Sequence, residues 1–127
     1  GFAAAVEKTE KYIDDNAAAA VKLGKPLVIE EFGLPRAGQS FDASSATTLR
    51  DQYFGKILSR IGIQNISGAN FWAFGGTARP IKGQLFWKEG DERMGDPPME
   101  EQGLNSVFDS DRSTWKVINA ARARLSK

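Results

Sequence analysis

The chain reads as an α/β protein built on a parallel sheet. Three observations carry that expectation. Helix-like and strand-like stretches alternate in the order α, β, α, β, α. The strand-like stretches "PLVIEEF" and "GANFWAF" are near-continuous apolar runs, the pattern of strands covered on both faces. The turn from the first helix into the first strand is only a few residues long, as in α/β units. Two parallel strands cannot cover three apolar helix faces, and both would keep unpaired edges. The 127 residues therefore read as one piece of a larger α/β domain, with no internal repeat and no second domain.

"AAAVEKTEKYIDDNAAAAVKLG" places Val6, Ile13, Ala17, Ala20 and Val21 at helical spacing, and Gly24 and Pro26 end the helix. After the first strand, "GLPRAGQSFDASSATT" is rich in turn residues and reads as a loop. Leu49, Tyr53, Ile57 and Ile61 then form an apolar stripe of a second helix, with Thr48 and Asp51 as a capping-box variant and Gly62 as its stop. "GGTARPIKGQLFWKEGDERMGDPPMEEQGLNS" has little periodicity, and a loop of that length in a compact domain is usually functional or disordered. Its Phe86 and Trp87 argue for order. The last helix is expected to start at a Ser113 cap, with Ile118, Ala121 and Leu125 on one face.

Composition excludes several chemistries. There is no histidine and no cysteine, so Ser-His-Asp triads, Cys-His pairs, disulfides and thiolate or imidazole metal sites cannot be built from this chain. A formal net charge of +1, with scattered cations, gives no footprint for nucleic acid or anionic membrane. No apolar run of about 18 residues is present to span a membrane. The start "GFAAAVEKTEKYIDD" lacks a basic segment and a long apolar core, and does not read as a signal peptide. Carboxylates are left as the main catalytic resource.

Parallel α/β folds place their chemistry at the C-terminal ends of strands, where Glu30 and Glu31 fall. Strict alternation puts Leu27, Ile29 and Glu31 on one face and Val28, Glu30 and Phe32 on the other, so the two glutamates point apart and one faces the site. The bland alternative is that both are solvated strand-end charges. Trp72 ends the second strand, where an indole is a ready platform for the C–H face of a sugar ring; alone it would read as a core residue. The conjunction of Glu-aromatic-Gly after one strand and Trp after the next is more specific than either part.

"KPLVIEEFGLPR", "GANFWAFGG" and "GDPPMEEQGLNSVFDSDRST" together resemble the C-terminal part of clan-A glycoside hydrolases, most closely family 5 endo-β-1,4-mannanases of the bacterial type. The resemblance runs from the first helix to the last. It implies a (β/α)8 TIM barrel of which residues 1–127 supply helix six, strand seven, helix seven, strand eight and helix eight. It implies that Glu31, directly before the aromatic-Gly pair, is the nucleophile, that Trp72 floors the sugar subsite at the cleavage point, and that Glu30 is structural. The long loop would wall the cleft. Trp87 and Arg36 are further substrate-binding candidates there, matched to no invariant position and each read first as a packing or surface residue. The acid/base glutamate, on an earlier strand, would lie outside this chain.

The activity so implied is retaining hydrolysis of internal β-1,4-mannosidic bonds, without metal or organic cofactor. The implied partners are β-mannan or a related β-1,4-linked polysaccharide and the N-terminal remainder of the same catalytic domain, and the implied location is extracellular, periplasmic or at the cell surface. A related endoglucanase and a non-catalytic carbohydrate-binding or interaction fragment are the competing readings. The residue-level and family-level arguments choose the same glutamate only if Ile29 and Glu31 face the barrel interior.

Overall fold

A computed structural model describes residues 1–126; Lys127, the last residue of the expected unit, lies outside them. Helix α1 (Phe2–Leu23) leads through a left-handed Gly24 into strand β1 (Leu27–Phe32). Gly24 satisfies the helix end by donating its N–H to the last turn. After a loop with one 3-10 turn (Ala37–Gln39) come α2 (Thr48–Leu58) and β2 (Ile66–Phe71). Two short strands, β3 (Phe74–Gly76) and β4 (Val107–Phe108), flank the long loop before α3 (Arg112–Leu125).

Among the described residues strand β1 pairs only with β2, in parallel, β3 pairs in parallel with β4, and no barrel is closed. The α/β class and the parallel pairing are as expected. The single expected strand "GANFWAF" is instead two strands, separated at Trp72 and Ala73, whose peptide bond is cis.

The core lies on one face of the β1–β2 pair. Ile13 and Ala17 of α1, Phe54, Ile57 and Leu58 of α2, and Phe32, Ile61, Ile66 and Val107 are all buried together. Leu27 and Ile29 of β1, Ala69 and Phe71 of β2, and Trp115 and Ile118 of α3 pack against them. Phe32 meets Phe54 edge-on at 4.8 Å between ring centroids, a favoured aromatic geometry. The opposite face of the pair is bare: Val28 is 47% exposed, and Glu30, Ser67 and Asn70 are exposed.

Several local expectations need correction. Of the expected stripe, Ile57 and Ile61 are buried and Tyr53 packs against the core, but Leu49 is exposed and Arg50, Phe54 and Leu58 complete the buried face of α2. Its N-cap is Thr47, not Thr48, and the Thr47 hydroxyl meets the Asp51 carboxylate at 3.1 Å. Helix α3 is preceded by Asp111, not Ser113; Ser113 sits in the first turn, 2.9 Å from the Thr47 hydroxyl. Val21 and Leu125 are exposed.

A buried charge network ties the loops together. Asp111 (5% exposed) accepts from Arg36 (2%), from Arg50 (0%) at 3.4 Å and from the Phe108 N–H at 2.8 Å. Arg50 also donates to the carbonyls of Leu34 (2.6 Å), Ser106 (3.1 Å) and Leu104 (3.4 Å). Burial pushes Arg50 down to about 10, with the nearby Arg36 adding to the shift and Asp111, Asp51 and Asp96 opposing it. Removing the shared carboxylate strands two buried cations. Asp111→Ala is expected to lower the unfolding free energy by about 3–5 kcal/mol, more than Arg36→Met does, in urea unfolding followed by circular dichroism.

Candidate active site

The site starts from an irregularity in β1. Its pairing with β2 runs Leu27 to Ile66, Val28 to Gly68, Ile29 to Ala69 and then Phe32 to Phe71, so the register slips between Ile29 and Phe32. Such a bulge interposes an extra residue and re-aims side chains. Leu27, Ile29 and Phe32 all face the helices, and Glu30 and Glu31 fill the slip, both exposed. Alternation holds from Leu27 to Glu30 and fails at Phe32, which turns to the core rather than to the face of Val28 and Glu30. The condition that Ile29 face the barrel interior is not met either: Ile29 packs on the core, and the bare face carries Val28 and Glu30. Both carboxylates are presented at the strand end. No ion pair holds either of them among the described residues.

Trp72 is fixed beside this end by backbone contacts. Its N–H donates to the Phe32 carbonyl at 2.6 Å. Its own carbonyl lies against Gly33 so closely that a Cβ there would sit 2.5 Å from the oxygen. Glycine is required at position 33 for this approach, which explains the Glu-Phe-Gly order: a carboxylate, a core anchor, and a residue with no side chain where the neighbouring strand crosses. The indole itself is half-buried.

The other two candidates lie elsewhere. The Arg36 side chain is enclosed in the Asp111 network with its guanidinium 4.9 Å over the Phe108 ring. Trp87 is half-buried in the long loop, donates its indole N–H to the Asp91 carbonyl (3.1 Å) and lies under the Arg93 guanidinium at 4.8 Å. The structure joins the Trp72 backbone to Phe32 and Gly33, the two residues that follow Glu31. Arg50 and Asp111, which organise the region, gave little sequence signal, being ordinary surface residue types, whereas Gly33 was marked by the Glu-aromatic-Gly pattern.

A groove of about 610 Å³ runs along β1 between that strand and α1, lined by Lys8, Tyr12, Ile13, Val28, Glu30 and Glu31 among others. It follows the edge of β1 that β2 does not cover. No group of three or more acidic side chains able to hold a metal ion is present among the described residues.

This arrangement, parallel strands under helices with a carboxylate and an indole at adjoining strand ends, is that of an open segment of an α/β barrel. The family model for "GH family 5 beta-mannosidase-like" proteins matches residues 1–127, and the chain belongs to that family. Solved structures of the glycoside hydrolase family 5 mannosidase from Rhizomucor miehei superpose with TM-scores of 0.82 and 0.83. One is a glutamate-to-alanine mutant in complex with mannosyl-fructose, 29% identical, covering 99% of this chain and 33% of its own; another, the unmutated protein, is 31% identical, covering 98% and 32%. The chain thus spans about a third of the length of these structures. No curated protein matches it at the sequence level. Gly33→Ala is expected to push the Trp72 carbonyl away from β1, seen as a changed tryptophan near-ultraviolet circular dichroism signal and a lowered melting temperature.

Proposed function

We propose that this chain is the nucleophile-bearing part of a retaining glycoside hydrolase that cleaves internal β-1,4-mannosidic bonds of mannan. The observation that carries the reading is the pairing of an exposed Glu31 at a strand end with Trp72, locked to the same point through the Phe32 carbonyl. Family membership and the mannosidase neighbours support the substrate class.

In the proposed reaction the ionised Glu31 carboxylate attacks the anomeric carbon while a glutamate outside this chain protonates the departing glycosidic oxygen. The C–O bond to the leaving sugar breaks and a glycosyl ester on Glu31 forms. Water, deprotonated by the same outside glutamate, then attacks the anomeric carbon, and Glu31 leaves as a carboxylate, with net retention. Retention requires the two carboxyl groups to stand about 5–5.5 Å apart, so the second must come from strands this chain does not supply. Trp72 would stack on the ring at the cleavage point. No cofactor enters these steps.

The open edge of β1 supports the same reading. Successive parallel strands joined by helices step one way around a sheet with right-handed crossovers. A strand before α1 would take the edge of β1 opposite β2, along the groove under α1. The N-terminal remainder of the catalytic domain is the proposed occupant. Polymeric mannan would be met outside the cytoplasm, which is the proposed location.

Two outcomes are expected. The 127-residue chain alone releases no reducing ends from β-mannan. In a chain that supplies the remaining strands, Glu31→Ala lowers turnover below about a thousandth of the parent, the scale of losing a covalent catalyst, with polysaccharide binding kept. Comparable turnover in mutant and parent would sink the assignment.

A further inference from the structure

The long loop between β3 and β4 does more than connect them. It returns beneath the residue that follows Trp72. Gly95 packs so tightly there that a Cβ would lie 2.5 Å from the Ala73 Cβ, and 2.6 and 2.8 Å from the backbone N and O of Phe74. Hydrogen bonds hold Gly95 in place from its C-terminal side. Asp96, 4% exposed, accepts from the Gly103 N–H at 2.8 Å and the Ser106 hydroxyl at 2.6 Å. The buried Gln102 amide donates to the Pro97 carbonyl at 2.7 Å. Ala73 is gripped as well: its carbonyl accepts from Val107 at 2.7 Å, and its N–H points to the Asn105 carbonyl at 3.4 Å.

We infer that the Gly95–Asp96 segment is a positioning element for Trp72, setting where the indole stands relative to Glu31. The inference rests on the proposed role of Trp72 as a sugar platform. The backbone on the N-terminal side of the indole is fixed by Phe32, and on the C-terminal side by this loop. The Asp96 carboxylate, by gathering the Gly103 and Ser106 donors on one oxygen, fixes the loop in one arrangement. The sugar affinity of the site is then a property of residues that touch no sugar.

The experiment uses Trp72→Ala, Gly95→Ala and the double variant in a chain that supplies the remaining strands, with mannopentaose as substrate. The 127-residue chain supplies a second readout, the indole ¹H–¹⁵N signals of its three tryptophans. Gly95→Ala is expected to raise KM several-fold, more than it lowers kcat, and to shift the Trp72 signal while that of Trp87 stays. The double variant is expected to bind no worse than Trp72→Ala, the non-additivity of residues acting through one another. If Trp72→Ala raises KM and Gly95→Ala does not, or if the two effects add, the positioning role is overturned. If Trp72→Ala leaves KM unchanged, the platform reading fails, and the Trp72 signal alone decides: a shift in Gly95→Ala upholds the positioning role and an unmoved signal overturns it. Should Gly95→Ala not fold, Ser106→Ala, which removes one donor from Asp96, takes its place under the same criteria.

Discussion

Everything at the site depends on the crossing of two strand ends. The Trp72 N–H meets the Phe32 carbonyl, and the Trp72 carbonyl fills the space a side chain at Gly33 would take. Phe32 is in turn seated in the core against Phe54. The placement of the exposed Glu31 and the half-buried Trp72 is therefore inherited from the core. The bulge in β1 converts that anchoring into presentation. Because Phe32 must reach the core one residue late, two residues are displaced outward, and both are glutamates.

The second tier of order is electrostatic. Arg50, on α2, holds carbonyls from the loop after β1 and from the segment before β4, and it shares Asp111 with Arg36. Loops that follow different strands are thus referred to one buried centre. Burying two guanidinium groups costs desolvation, as the depressed Arg50 shows. The return is geometric: the loops that follow Glu31 and Trp72 are set by one carboxylate rather than by independent packing. The Phe108 ring, with Arg36 and Arg79 at 4.9 and 5.1 Å, carries the arrangement toward the surface.

The sequence made the α/β order, the parallel strands and the incomplete sheet legible because these follow from apolar runs, glycine and proline stops and short connections. It placed Glu31 and Trp72 at adjoining strand ends for the same reason. It misplaced Phe32 at the end of β1, since alternation presumes a regular ladder and a bulge leaves no mark in a short apolar run. In α2 the stripe held at Ile57 and Ile61 but missed the first turn, where Arg50 rather than Leu49 is buried, and a stripe read from apolar residues alone passes a charged residue over. Arg36 looked like a cleft residue because an arginine in a glycine- and proline-rich loop gives no hint of a buried aspartate 75 positions away. The role of Gly95 rests on a contact that exists only in three dimensions.

The central claim is that Glu31, and not its neighbour, is the carboxylate that bonds to the sugar. The bulge exposes both, so geometry alone leaves the two side by side. A chain completed with the missing strands can be incubated with a 2-deoxy-2-fluoro mannosyl fluoride, which forms the glycosyl ester but hydrolyses slowly, then digested and sequenced by mass spectrometry. The account predicts one fluoromannosyl group on Glu31. A label on Glu30, or a labelled carboxylate outside residues 1–127, would contradict it.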